Sequence, residues 1–273
     1  MRRSEDVVTE GQRPDELNRY RRPIQQQILC HPDRLVFSLT FDQQKVWIKR
    51  RPEPKKLFWH RLQKILAVVL HAPLLRPTVS TGGAESLRHE ADRLARLRAH
   101  GIPVPDVILC EPDFLVTEDC GAPLDVWLWT LPTIQERRVW LERALQLLLR
   151  VHAVGMVHGR PMLRDMLIEE GELTLIDLEE DPTQFMPLAH AQARDLWLFM
   201  VGVAPLLANE MEAAKVLAQW RDSICSETQR VLRRLVKTLR PFSWTLDKTL
   251  ARHLGRDLQR AVLANNAMTR ALR

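Results

Sequence analysis

The sequence predicts an α+β protein of two lobes, a β-rich N-lobe followed by an α-helical C-lobe. Three observations carry this expectation. Leu35, Phe37, Leu39 and Phe41 alternate with Val36, Ser38 and Thr40 at the period of a strand, and Val46-Trp47-Ile48-Lys49 supplies a return strand after a turn at Asp42-Gln43-Gln44. Leu87, Ala91, Leu94, Ala95 and Leu97 then recur at helical spacing, with Gly101 as a stop signal. Beyond Pro123 the chain reads almost wholly as helix, interrupted by one short hairpin.

The 273 residues are 45% hydrophobic and 27% charged, the balance of a globular chain with room for a sizeable core. A net charge of +6 favours anionic partners such as nucleotide phosphates, acidic lipid headgroups or nucleic acid, and is equally the mark of a solvated basic surface. The arginines are spread rather than clustered and Tyr20 is the only tyrosine, so a nucleic-acid partner is not expected. Cys30, Cys110, Cys120 and Cys225 form no C-x-x-C pair and no zinc or disulfide spacing, and read as reduced thiols. The first residues carry no apolar signal-like core, and the most apolar run, Ile65 to Leu75, is short and holds His71 and Pro73. A cytoplasmic protein is expected, one that would reach the inner membrane only peripherally.

Taken in order, residues 1–30 read as a polar, partly disordered lead-in with Pro14 and Pro23. The N-lobe is expected over 31–118 and the C-lobe over 119–273. Lys49 closes its strand as a solvated edge residue would. Residues 55–77 read as a basic amphipathic helix, with Leu57, Phe58, Leu62, Ile65, Leu66 and Val69 on one face; such a helix packs on a core or lies on an anionic membrane. Ser80-Thr81-Gly82-Gly83 is a loop. Short strands follow at Val107 to Cys110 and Phe114 to Glu118. Helices are expected over Arg138 to Gly155, from near Ala193, over Ala208 to Ser223, over Glu227 to Leu239 and from Leu246 onward. The hairpin pairs Leu167-Ile168 with Leu173 to Ile176 around Glu170-Gly171.

Several of these residues stand where a known family carries its chemistry. VWIK at Lys49, RHEADRL at Glu90, FLVTEDCGAPLD, HGRPMLRDML from His158, TLIDLEE at Asp177 and ARDLW at Asp195 together resemble the protein-kinase-like fold. The resemblance spans about 34–225 and is nearest to the bacterial lipopolysaccharide-core kinases and the related aminoglycoside-kinase-like and RIO-like proteins. It implies ATP and Mg²⁺ as cofactors. Lys49 would hold the α- and β-phosphates and Glu90 would orient it. The adenine would meet backbone groups near Glu118 to Cys120. His158 and Gly159 match the family's His-Gly, Asp165 its metal-binding Asn and Asp177 its metal-binding Asp. The twelve residues from Asp165 to Asp177 favour this alignment over one that makes Arg164-Asp165 the catalytic pair. Asp195 would anchor the loop backbone. The implied catalytic group is Arg160, His158 and Asp165, with Asp165 and Asp177 as metal ligands.

The sequence also departs from the pattern. The first hairpin has no glycine-rich loop, Leu178-Glu179 replaces Phe-Gly, and Arg160 falls on the catalytic Asp. An arginine stays protonated and cannot serve as the base. Three readings remain open: Arg160 stabilises transferred charge while Asp165, Glu179 or Glu180 orients the acceptor; the protein is a pseudokinase that binds nucleotide or a partner without turnover; or the site carries out other nucleotide chemistry, such as nucleotidyl transfer. The enzyme reading implies an envelope glycolipid or lipopolysaccharide sugar, or a protein hydroxyl, as acceptor, in keeping with the basic segment at 55–72.

Overall fold

A computed structural model describes residues 14–51, 84–246 and 256–273. The amphipathic segment expected over 55–77 and the Gly82-Gly83 loop lie outside the described residues. The fold is mixed α+β, with antiparallel strands and several helices, as the sequence periodicities predicted. The described residues form two compact units: the first holds 14–51, 84–99 and 104–119, the second 100–103, 120–246 and 256–273.

The first unit is built on a four-stranded antiparallel sheet of β1 (Val36–Phe41), β2 (Gln44–Arg50), β3 (Val107–Cys110) and β4 (Phe114–Glu118), in the order β1-β2-β4-β3. The turn between β1 and β2 contains only Asp42 and Gln43, both at positive φ (48° and 68°), and closes on the Phe41–Gln44 pair. Left-handed backbone at both positions is the geometry of a tight two-residue hairpin, normally given to Asn or Gly. Asp42 is tied down by Arg19 at 3.0 Å.

One face of this sheet is apolar because β2 and β4 alternate. Val46, Ile48, Phe114 and Val116 are buried together with Leu109. They are covered by α1 (Pro14–Cys30), which supplies Tyr20, Ile24 and the partly buried Ile28 at four-residue spacing. The lead-in expectation is corrected here: residues from Pro14 onward form a helix with Pro23 inside it. The segment is polar on average, yet its one apolar stripe finds a sheet to cover. Arg21 adds an ion pair to Glu111 in the β3–β4 turn at 2.6 Å. Lys49, on the opposite parity of β2, reaches α2 (Ala84–Ala99), whose Leu87, Leu94 and Leu97 are buried and which packs on β3 and β4.

The second unit opens with β5 (Ala122–Pro123), which pairs with the hairpin of β6 (Met166–Glu169) and β7 (Glu172–Leu175). Gly121 at φ 94° is required there, because a Cβ would strike the Ile168 carbonyl. The short helix α3 (Leu124–Leu128) follows, then α4 (Ile134–Ala153). Helix α4 starts earlier than periodicity suggested because Thr133 and Glu136 form a reciprocal capping box. The central helix α5 (Leu188–Val203) is buried along most of its length, starting before Ala193. It packs on α4, on α7 (Ser226–Leu246) and on α8 (Arg256–Ala271), while α6 (Glu210–Trp220) lies against α4 and α8. The loop at 100–103 belongs to this unit: the Leu175 N–H donates to the Pro103 carbonyl at 3.0 Å and Arg150 to the Gly101 carbonyl at 2.7 Å.

Truncating Ile24, which is wholly buried in the first unit's core, tests whether α1 is part of the fold. Ile24→Ala is expected to cost about 2–4 kcal/mol in urea-induced unfolding. A loss below about 0.5 kcal/mol, the size of an ordinary surface change, would refute a docked α1.

Candidate functional site

The first unit contributes a buried ion pair. Lys49 on β2 and Glu90 on α2 meet at 2.8 Å. Register explains the meeting: Lys49 sits opposite Leu115 of β4, on the sheet face away from Val46 and Ile48, and Glu90 lies on the inward stripe of α2. The Glu90 side chain is only 5% exposed, so its charge needs a cation nearby. At the end of β4, Glu118 is committed locally. Its carboxylate accepts from the Asp106 N–H at 2.8 Å and pairs with Arg98 at 3.4 Å, and its own N–H donates to the Asp106 carbonyl at 3.1 Å. Asp119, which sequence reading passed over, accepts from the Trp47 indole and pairs with Lys45 at 3.1 Å. No local pattern signals that pair, since the partners are more than seventy residues apart. Cys120 belongs to the second unit and is buried.

The second unit contributes a charged loop. After α4 the chain runs through His158, Gly159 and Arg160 to a single 3-10 turn at Leu163–Asp165 and then into β6. Asp195 on α5 holds the start of this loop. Its carboxylate is fully buried and accepts from the N–H of His158 at 2.7 Å and of Gly159 at 3.0 Å. The His152 Nε2 lies 3.3 Å from the same carboxylate. Burial by itself would push the Asp195 carboxyl up. The His152 hydrogen bond and the neighbouring His152, His158 and Arg194 outweigh it and hold the carboxyl below its usual value. The ring of His158 is fully buried beside Asp195, an environment that suits loop anchoring better than proton exchange with a substrate.

Gly159 is forced by sterics. It sits at φ 103°, and a Cβ there would run into the Glu180 carbonyl. This close approach brings the next residue, Arg160, against the segment that follows β7. The Arg160 guanidinium donates to Asp177 at 3.0 Å and lies 3.6 Å from Glu180. Glu180 is also paired at 3.2 Å with Arg194, whose guanidinium donates to the Gly159 carbonyl. Burial works to lower the pKa of Arg160, but the Glu180, Asp177 and Asp165 carboxylates work against it and win, so the guanidinium is held protonated. Arg194 was not anticipated. Its signal was present, a cation inside a largely apolar helix directly before Asp195.

Asp165 is buried, its main-chain carbonyl accepts from Ile176 at 3.0 Å, and Arg164 lies 3.6 Å from its carboxylate. Asp177 sits in the left-handed region, at φ 60°. The structure thus brings Arg160, Asp177 and Glu180 into direct contact, with Asp165 near enough to act on the Arg160 charge. Magnesium takes oxygen ligands in near-octahedral geometry and loses its hydration water reluctantly. A divalent ion approaching Asp177 here meets a guanidinium already bonded to that carboxylate. The residues around Asp177 therefore do not fit the magnesium ion that the sequence resemblance implies.

Comparison with known proteins agrees with this layout at the level of the superfamily. Residues 83–198 match the model of the RIO domain, a kinase-like, ATP-binding phosphotransferase domain. The matched span contains Glu90, Asp165, Asp177 and Asp195 but not Lys49. The chain is also similar to an uncharacterized protein of Haemophilus influenzae, 28% identical over 158 residues. That alignment covers 57% of this chain and 57% of the relative, so the likeness extends over little more than half of either. Among the described residues no helix is long and apolar enough to cross a membrane.

The depressed pKa of Asp195 gives a pH signature. An unfolded aspartate titrates near about 3.9, and the folded group titrates lower. Its stabilisation is complete above the unfolded value and disappears as pH falls through the folded one. Asp195→Asn is expected to lower stability at neutral pH by about 2–3 kcal/mol, the scale of lost hydrogen bonds to a charged group. The difference from wild type should narrow progressively below about pH 4. Urea titrations at a series of pH values check this, and a difference unchanged down to about pH 2 would contradict it.

Proposed function

We propose that this protein is an ATP-binding member of the kinase-like superfamily in which the usual transfer base is absent, so that its principal activity is nucleotide binding without rapid turnover. The observation that carries the reading is the Lys49–Glu90 pair. A strand lysine held at 2.8 Å by a nearly buried helix carboxylate is kept charged and oriented, as phosphate recognition requires. The match of residues 83–198 to the RIO domain supports the same reading. Arg160 supports the absence of a base, because a protonated guanidinium paired with Asp177 cannot accept a proton from an acceptor hydroxyl.

A second reading, phosphoryl transfer to a hydroxyl of an envelope glycolipid or of a protein, is favoured by one observation. Asp165, Asp177 and Glu180 all lie within the electrostatic reach of one loop, a concentration of carboxylate that a passive scaffold does not need. Transfer through a loose transition state depends mostly on positioning and charge, so another carboxylate could orient the acceptor.

Titration calorimetry with ATP separates these readings. Wild type should bind, and Lys49→Met and Glu90→Gln should each weaken binding by about tenfold or more, the loss of one charge-assisted phosphate contact. No binding by folded wild type refutes the nucleotide reading. Measurable transfer of the γ-phosphate to envelope glycolipid or protein fractions, enhanced in Arg160→Asp, would establish the second reading in place of the first.

A further inference from the structure

The contact between Arg160 and Asp177 has a consequence beyond the missing base. Asp177, Glu180 and Asp165 put several negative charges around one half-buried point, and such a cluster requires a cation. The cations present are covalently part of the chain: Arg194 pairs with Glu180, Arg164 lies beside Asp165, and Arg160 meets Asp177. Arg160 reaches Asp177 at 3.0 Å and Glu180 at 3.6 Å with different nitrogens, so its planar fork spans both carboxylates. The arrangement is built rather than incidental. Gly159 passes against the Glu180 backbone, where no side chain fits. Arg194 grips the Gly159 carbonyl and the Glu180 carboxylate together. Asp195 fixes the two main-chain N–H groups just before Arg160. The root of Arg160 and one of its partners are thus both held by groups that leave Arg160 itself untouched.

We propose that the Arg160 guanidinium is the resident cation of this acidic cluster, and that it takes at Asp177 the place a divalent metal would occupy. The chain therefore holds no divalent metal at Asp177. Resting on the nucleotide-binding reading above, it follows that ATP binds equally well with and without magnesium. A tethered monovalent cation offsets part of the cluster's negative charge at every metal concentration, whereas a bound metal would make the cluster's charge depend on supply.

Manganese binding, followed by electron paramagnetic resonance on the full chain without nucleotide, tests the cation assignment independently of ATP. Wild type should show no saturable site up to about 1 mM Mn²⁺, and Arg160→Gln, which removes the charge and leaves a shorter polar side chain, should gain a site at least about tenfold tighter. That gain should vanish in the double variant with Asp177→Asn. Arg160→Lys, which keeps the charge, should stay metal-free. Saturable Mn²⁺ binding by wild type that is lost in Asp177→Asn overturns the proposal, and needs no change at Arg160 to be seen. A folded Arg160→Gln, judged by circular dichroism, that gains no Mn²⁺ site overturns it too. ATP titrations in EDTA and in excess Mg²⁺ should give affinities within about twofold for wild type, and strengthening of about tenfold or more by Mg²⁺ overturns the proposal. Absence of ATP binding in both buffers, with the Mn²⁺ results as expected, refutes the nucleotide reading and supports the cation assignment.

Discussion

A fully buried carboxylate organises the second unit. Asp195 gives up hydration entirely, and only strong hydrogen bonds can offset that loss. It receives them from two consecutive main-chain N–H groups, those of His158 and Gly159, with His152 alongside. The arrangement orders a loop that has no ladder or helix to satisfy its backbone. It also dictates where the chain leaves: Gly159 turns through a conformation closed to other residues and delivers Arg160 to the acidic segment after β7. The charged loop starts from this anchor, and Arg194 and the Gly159–Glu180 contact complete it.

The neighbouring arginines divide the electrostatic work. Arg194 is nearly inaccessible and serves the framework, bonding a main-chain carbonyl and one oxygen of Glu180. Arg160 is about one-third exposed and pairs with the other Glu180 oxygen and with Asp177. An exposed ion pair adds little to stability, but here the partners are half-buried or better and linked in a network, where charges couple more strongly and salt screens less. The first unit shows the same economy on a smaller scale. Lys49 and Glu90 form an ion pair between the sheet and the helix. At the other end of β2, Lys45 and Trp47 share Asp119.

Regular elements were readable because their periodicities are local. The alternation in β1, the Glu170-Gly171 turn with its two positive φ values, and the strands of β3 and β4 all follow from side-chain order along a few residues. Misjudged boundaries had identifiable causes. Helix α4 begins at a capping box that precedes its apolar stripe, and α5 begins before its uninterrupted apolar run. Helix α1 was missed because its average polarity and Pro23 argue against structure, whereas Tyr20, Ile24 and Ile28 need only a sheet to cover. Likewise Glu118 stood out as part of a strand end, but its role in pinning the Asp106 backbone depends on a partner twelve residues away in sequence.

By itself the sequence determined the α+β element order, the strand carrying Lys49, the helix carrying Glu90, and the loop-and-hairpin order of His158, Arg160, Asp165 and Asp177. These are properties of neighbours, set by steric preference and apolar period. The resemblance already implied that Glu90 orients Lys49 and that Asp195 holds the loop, and the tertiary structure supplies both contacts. Only the tertiary structure decided that Arg160 lies on Asp177 and Glu180 rather than pointing to solvent. The reason is that an arginine's reach is several ångströms and its choice among carboxylates depends on where distant backbone is brought. In this chain that choice rests on Gly159 pressing against Glu180, a contact between residues twenty-one apart that no local preference encodes.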